Sequence, residues 1–539
     1  MAQPQQNVSL TAPGFAGLNT QDSPLDMDIQ YASRADNCTI DRFGRIASRK
    51  GFNFLSTNPY VLKDGNGDPQ PIVSMGEFIT FDGQEWLFAA GNNKIFIQER
   101  TGSLELVELT LPLTPIKNHW QIISFNDKCY FIQSGHKPLV FDPAVSTTAL
   151  SFWGEYPSGM EASGSWPNAA HAAFGRLWLG DLDGDSTTVL WSGLLDGENW
   201  TSLGWGSLQT SEYWPAGYDE VTALAAHNNY MIIFGSRNIL LYSTTSDVVS
   251  TLRLEDTIEG LGCISRDSVV PTGTDFMFVD ATGVRSLNRT IEQKSVPISD
   301  ISRNVRIEFQ EALRREVVQD IKAVYHVEDS FYVCFLADNI ESYVFDTWSP
   351  LPTGAARCTK WTQVQPRCGV RTQDRTTYFG GDGGVYTYEG AQDVVAVRPT
   401  ASDPLESVIS SISLAYFTHP LDFGSPANLL FPKQVDVTVF GGFNGNLMLN
   451  WAYDYQENFT TKTQALVPAG APGFWNTDAE WGENGNKIEW SAILTNLNRL
   501  KYNIWGSGRN IKVGFTTEIF GSSVSIQELN VQVLQGRLL

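Results

Sequence analysis

The chain reads as an all-β protein: a β-propeller of about seven blades, with six to eight as bounds, followed by a separate antiparallel β-domain. Three observations predict it. Short apolar strands alternate with Gly, Asn and Asp turns along most of the 539 residues, and glycine alone supplies 47 of them. The pattern strand, polar turn, strand, Gly/Asn turn, strand recurs seven times between residues 78 and 389. The middle residues of the seven central strands are Leu87, Phe131, Trp178, Ile232, Phe278, Val333 and Tyr378, at spacings of 44, 47, 54, 46, 55 and 45. A period of about 40–50 residues with three or four strands per period is the signature of propeller blades.

The physical reason is burial. One small antiparallel sheet cannot cover both of its faces, whereas sheets stacked radially cover each other. A sandwich or a solenoid is the rival, but a sandwich does not explain seven evenly spaced copies. No WD/GH pair, kelch double glycine or sialidase box marks the repeats, so pattern and not motif holds them together.

The elements follow in order. Residues 1–57 form an N-terminal arm and docking segment. The propeller spans 58–396. Within it, NNYMIIFGSRNILLYSTT (228–245) reads as a hairpin closed by a Gly-Ser-Arg-Asn turn, a piece of the fourth unit. Between the fifth and sixth units the period lengthens. There ISDISRNVRIEFQEALRREVVQD (298–320) places Ile301, Val305, Ile307, Phe309, Leu313, Val317 and Val318 near helical spacing. This predicts an inserted amphipathic helix, capped by Ser299 or Asp300, that packs on the propeller rim or on a neighbouring subunit. VRPTASDPLES (397–407) reads as a linker. Residues 397–539 then form a platform, a sandwich or open barrel, with Val435, Val437 and Val439 marking a half-buried strand. Residues 467–490, rich in Gly, Asn and Trp, read as an exposed loop or tip.

Composition limits function. A net charge of −22 argues against a nucleic-acid binder, because phosphate contacts need clustered Lys and Arg. It does not exclude a passage through which DNA slides. The six cysteines form no CxxC and the six histidines are scattered, so disulfides and zinc are not expected and buried free thiols are. No apolar run reaches the length of a membrane span. The N-terminus shows no basic region followed by an apolar run, which predicts synthesis in a cytosol without Sec-type export.

Few residues point to chemistry. No P-loop, HExxH or GxSxG occurs. Asp181, Asp183 and Asp185 in GDLDGDS alternate as calcium ligands do, yet Ser186 and Ser192 stand where an EF-hand needs Gly and Glu. A hairpin turn is the expected reading, with incidental metal binding the weaker one. The chain is expected to use no cofactor and to catalyse nothing. A glycan-binding propeller, or a tail-associated polysaccharide depolymerase, is the alternative, resting on 16 Trp residues and abundant carboxylates.

The arm carries a resemblance. TAPGFAGLNTQDSPLDMDIQYASRADNCTIDRFGRIASRKGF (11–52) places Asn37, Gly44, Ile46, Arg49 and Gly51 in an order that resembles the start of tail tube proteins of short-tailed bacteriophages, the nozzle or hub class. YFTHPLDFGSPANLLFPKQVDVTV (416–439), with Leu421, Asp422, Phe423 and Gly424, is similar to the platform after their propeller, and SIQELNVQVLQGRLL to their ending. The resemblance implies a virion structural protein assembled in a bacterial cytoplasm. It implies a ring, as a homohexamer, below the portal and adaptor ring. That ring would hold fibres or spikes, extend the channel for double-stranded DNA without binding it specifically, and help retain and release the genome.

Overall fold

The computed structural model describes residues 5–24, 27–55, 62–100, 105–201, 204–215, 217–273, 275–293, 300–337, 341–364, 366–397, 406–424, 427–442, 445–466 and 497–536. The Gly-, Asn- and Trp-rich stretch 467–490, Ser299 and residues 398–405 of the linker lie outside them.

Seven antiparallel sheets stand around one axis. Blade 1 runs from Ser74–Ile79 to Val107–Glu108, blade 2 from Gln121–Phe125 to Ser151–Phe152, and blade 3 from Pro167–Ala173 to Gly206–Gln209. Blade 4 runs from Val221–His227 to Arg253–Glu259. Blade 5 has three strands, Val270–Pro271, Phe276–Asp280 and Gly283–Ser286. Blade 6 runs from Ile321–His326 to Arg357–Trp361. Blade 7 takes Cys368–Arg371, Thr377–Gly381 and Gly384–Tyr388, and its outermost strand is Phe52–Phe54. The arm thus stitches the last blade to the chain's beginning. The inner strands of blades 7 and 1 pack on each other, which closes the circle. All seven marker residues fall in the second strand of their blades.

Side-chain alternation explains why these strands are apolar throughout. Phe88 and Ala90 pack towards blade 2, while Leu87 and Ala89 pack towards blade 7. Trp178 joins the layer shared with blade 4, whereas Leu177 and Leu179 join that shared with blade 2. Ile232 and Phe234 face blade 5; Met231 and Ile233 face blade 3. A strand buried on both faces has no polar side to show. The hairpin at 228–245 is blade 4's second and third strands, and the Asp219 carboxylate holds its turn. That carboxylate accepts from Ser236 N (3.1 Å), Ser236 Oγ (2.5 Å), Arg237 N (3.0 Å) and Asn238 Nδ2 (2.9 Å).

The arm and the C-terminal residues together form a sandwich. Its first sheet continues blade 6 edge to edge: Arg357–Trp361 meets Gly17–Leu18 and Tyr31–Asp36, and then come Ile412–Thr418, Ile511–Ile519, Asn446–Tyr453 and Thr460–Ala465. The second sheet holds Leu497–Asn503, Leu430–Gly441, Val524–Gln535, Ile46–Ser48 and Cys38–Ile40, with Gln5–Thr11 paired to Val524–Gln535. Val435, Val437 and Val439 point into the core between the sheets, as their alternation predicts.

The inserted helix is shorter than its apolar pattern suggests. It spans Arg306–Arg315, preceded by a 3-10 turn at Arg303–Val305. Phe309, Ala312 and Leu313 are buried, with the Phe309 ring 5.0 Å from Tyr343 and 5.8 Å from Phe345 of blade 6. Ile307, Val317 and Val318 are exposed. Asp300 does not cap it: Val305 stands at the N-cap without a side-chain bond, and the buried Asp300 carboxylate instead receives Arg306 Nη2 at 2.6 Å and Arg285 Nη1 at 3.4 Å. A charge-pairing site outcompetes a capping role because a buried carboxylate needs its cations.

Candidate functional site

Two places gather functional groups: the junction of arm, propeller and platform, and one mouth of the propeller axis.

The junction is built from the residues that carry the resemblance. Asn37 sits between two arm strands at φ 51, a left-handed position that Asn tolerates. Its Nδ2 donates to Thr362 Oγ1 (3.1 Å) at the outer edge of blade 6 and to Ser413 O (2.9 Å) in the platform. Its Oδ1 accepts from Thr362 N (3.0 Å) and Arg49 Nε (3.4 Å). Arg49 is fully buried and grips Asp393 with two parallel bonds of 2.8 and 2.6 Å. Asp393 also accepts from Phe52 N at 3.1 Å, so one carboxylate ties the arm to the strand leaving blade 7. Gly51 is wedged against that strand: a Cβ there would stand 1.8 Å from Gln392 O. Ile46 is buried in the second sheet beside Ile40 and Ile526, and Gly44 (φ 72) packs on Pro13. The second motif is a turn. Leu421 pairs with Ile511 and is buried, the Asp422 carboxylate accepts from Gly424 N at 2.9 Å, and Phe423 and Gly424 take φ of 55 and 71. The structure therefore brings Asn37, Arg49 and Gly51 together and places Leu421–Gly424 elsewhere on the platform.

The three aspartates of GDLDGDS diverge. Asp181 accepts from Asn168 Nδ2 (2.7 Å), Asp183 from Ser134 Oγ (2.7 Å) and Gly135 N (2.6 Å), and Asp185 from Thr187 Oγ1 (2.9 Å) and Thr188 Oγ1 (2.6 Å). Asp181 ties the first two strands of blade 3 to each other, Asp183 holds a blade 2 turn and Asp185 its own turn. Among the described residues no group of three His, Cys, Asp or Glu side chains is placed to hold a metal ion. The six cysteines are free and buried.

The axis mouth was not legible as a site in the sequence. The loop before blade 5's short inner strand makes a 3-10 turn, Arg266–Ser268, across the opening. Arg266 Nη1 donates to Asn168 O and, at 2.7 Å, to Asn168 Oδ1 in blade 3; Nη2 donates to His119 O at the start of blade 2; Nε holds Asp267 at 3.0 Å. Lys322 of blade 6 reaches Val73 O (2.5 Å) beside blade 1 and Asp267 Oδ2 (3.3 Å). Two buried cations thus span the opening between five blades. A duplex, whose major groove alone is about 12 Å wide, finds no passage along this axis. Beside the plug lies a pocket of about 110 Å3 lined by Asn168, Asp181, Thr222, Arg266, Asp267 and Gln319.

The charges set the titration here. Burial pushes the Asp267 carboxyl up, but Arg266 and Lys322 outweigh it and hold it below its ordinary value. His119 is lowered to about 4, by burial first and then by the Lys322 charge. A histidine depressed in the fold contributes stability that is present above its unfolded pKa and lost as pH falls through about 4. Lys322→Met removes one cause, so the His119 pKa is expected to rise towards its ordinary value and the acid loss to be smaller and complete at a higher pH. The imidazole shift against pH and the acid-unfolding midpoint measure it; an unmoved His119 titration would show that Lys322 does not act on it.

No family model and no curated protein matches the chain. Among solved structures, it is similar to the WD40 domain of Neurospora crassa Pan2 at 8% identity and a TM-score of 0.38, over 64% of this chain and 95% of that one. It is similar to Chaetomium thermophilum Raptor at 11% identity and 0.39, over 63% of this chain and 30% of that one. A third is an auxiliary nutrient binding protein from Bacteroides thetaiotaomicron, at 11% and 0.35, over 65% and 79%. TM-scores below 0.5 say nothing about what the chain does.

Proposed function

We propose that the chain is a structural subunit of a short bacteriophage tail, forming a ring that extends the DNA channel below the portal and adaptor and helps retain and release the genome. The observation that carries this reading is the junction. The arm residues that resemble tail tube proteins, Asn37, Arg49 and Gly51, are buried where arm, blades 6 and 7 and platform meet. Such a lock ties propeller and platform into one stiff block, which is what a ring that holds back a packaged genome needs.

Charge placement supports it. Of the 59 Asp and Glu residues, 42 fall within 58–396, against 23 of the 37 Lys and Arg, so the propeller carries almost all of the −22. A wall of that sign repels phosphate and lets DNA slide. With the propeller axis plugged, the channel in this reading lies between copies of the chain. Fibres or spikes and the adaptor ring are its proposed partners, in the virion tail. No described helix is long and apolar enough to cross a membrane. The test is sedimentation of particles from lysed host cells: the chain is expected to band with tailed particles in fixed ratio to the portal protein. A chain found only at the top of the gradient removes the reading.

The glycan reading keeps one foothold. The pocket at the mouth places the Asp181 carboxyl, raised by burial, within the fields of Asp183 and Glu220. It requires reducing sugar released from a host polysaccharide, and an inert result across such polysaccharides removes it.

A further inference from the structure

On the side of the propeller away from blade 6, where the platform attaches, turns of blades 1 and 3 expose apolar side chains on either side of a polar blade 2 turn. Phe81, in the first turn of blade 1, is 80% exposed; Leu194 and Leu195, in the third turn of blade 3, are 52% and 58% exposed. The blade 2 turn between them holds both in place. Asp127 Oδ1 accepts from Phe81 N at 2.8 Å, and Asn126 Nδ2 donates to Leu195 O at 2.5 Å. Leu195 adopts φ 54, a conformation that a bulky side chain rarely takes. Its N–H donates to Gly175 O at 2.8 Å, so bonds on both sides enforce the strain. That strained backbone is what holds the Leu195 side chain out in water. The rim is acidic, with exposed Asp82 and Asp196 and half-buried Asp127. Residues 58–263 hold 24 acidic side chains against 9 basic ones.

The platform carries the complement. The turn between Cys38–Ile40 and Ile46–Ser48 projects Phe43, 54% exposed, with the Arg42 guanidinium 4.8 Å and the Arg45 guanidinium 4.7 Å from its ring centre. The turn is preorganised. Asp41 Oδ1 accepts from Phe43 N (2.9 Å) and Arg45 N (3.0 Å), and Oδ2 from Arg45 Nε (2.7 Å). Arg45 also stacks on Phe440 of the platform, 4.8 Å from its ring centre. An exposed arginine and aromatic on a rigid turn are the side chains that anchor interfaces.

We propose that the Arg42–Phe43 turn of one copy docks on the Phe81–Leu194–Leu195 patch of a second copy. Phe43 covers the leucines, and Arg42 meets the Asp82 and Asp196 carboxylates. The two surfaces are different and lie on different parts of the chain, so the contact is heterologous and propagates head to tail until it closes. The inference rests on the ring reading for its occupant but adds the residues that make the joint.

Light scattering and sedimentation of the purified full chain test it. Phe43→Ala, Arg42→Asp, Leu195→Gly and the pair Asp82→Arg with Asp196→Arg are each expected to weaken self-association at least ten-fold. Leu195→Gly relieves the strained backbone, so its thermal midpoint is expected to hold or rise while association falls. Combining Arg42→Asp with Asp82→Arg and Asp196→Arg is expected to restore much of the loss. Assembly unchanged in Phe43→Ala and Leu195→Gly, or no recovery in the charge swap, overturns this joint and leaves the ring reading standing. A wild-type chain that stays monomeric at every concentration overturns both.

Discussion

Asp393→Ala is expected to destabilise the chain by about 3–5 kcal/mol, because it leaves the Arg49 guanidinium buried without its counter-charge. Both side chains are out of water, at 0% and 1% exposure, so solvent does not screen the loss. The carboxylate also serves Phe52 N, the first residue of the strand that completes blade 7. Loss should therefore begin as local release of the arm. Limited proteolysis is expected to cut within residues 37–57 well before the blades are attacked, and the denaturant midpoint to fall. The double substitution Arg49→Met with Asp393→Leu is expected to recover most of that fall, since well-packed apolar groups replace a buried ion pair at little cost. An Asp393→Ala chain with unchanged arm protection and midpoint would show that the junction is not what holds the arm.

Gly51→Ala ranks beside it. The added Cβ would meet Gln392 O at 1.8 Å, Gln392 C at 2.6 Å and Gln392 N at 2.9 Å, and all three are backbone atoms that cannot rotate away. Gly51 also pairs with that segment through Gly51 N to Gly390 O (3.1 Å) and Glu389 N to Gly51 O (2.9 Å). Relieving the clash parts the arm from blade 7, at about 3 kcal/mol or more, the upper end for overpacking. Gly65→Ala is the control, because its Cβ would meet nothing within 4 Å. Equal thermal midpoints for the two variants would refute the wedge.

The blades were legible because their strands are buried on both faces. Five of the seven write a run of four to six apolar residues, and the strands recur at spacings of 44 to 55 residues. The last strand of blade 7 was not legible. Phe52–Phe54 is three residues long and pairs with Tyr386–Tyr388 more than 330 positions away, too short a segment to show a period. The helix was placed in the right interval but drawn too long. Ile301 and Val305 are buried by turns, and Val317 and Val318 are apolar without being buried, so the 3.6-residue pattern ran past both real ends. At the junction, sequence picked out Asn37, Arg49 and Gly51 but not their partner Asp393, because nothing local distinguishes a carboxylate that serves an arginine 344 residues away. Arg266 and Lys322 were missed for the same reason. A single cation in a loop, or at the start of a strand as Lys322 is, reads as solvated until the fold brings blades 1, 2 and 3 within reach.

In the proposed ring, DNA runs between copies of a rigid, acidic block and not along the propeller axis. Class-averaged electron micrographs of the purified full chain test it most directly. The account predicts closed rings of identical subunits around an open lumen wide enough for a duplex, with each subunit's own seven-bladed axis filled by density. Single isolated propellers, or rings whose only openings are the propeller axes themselves, would contradict it.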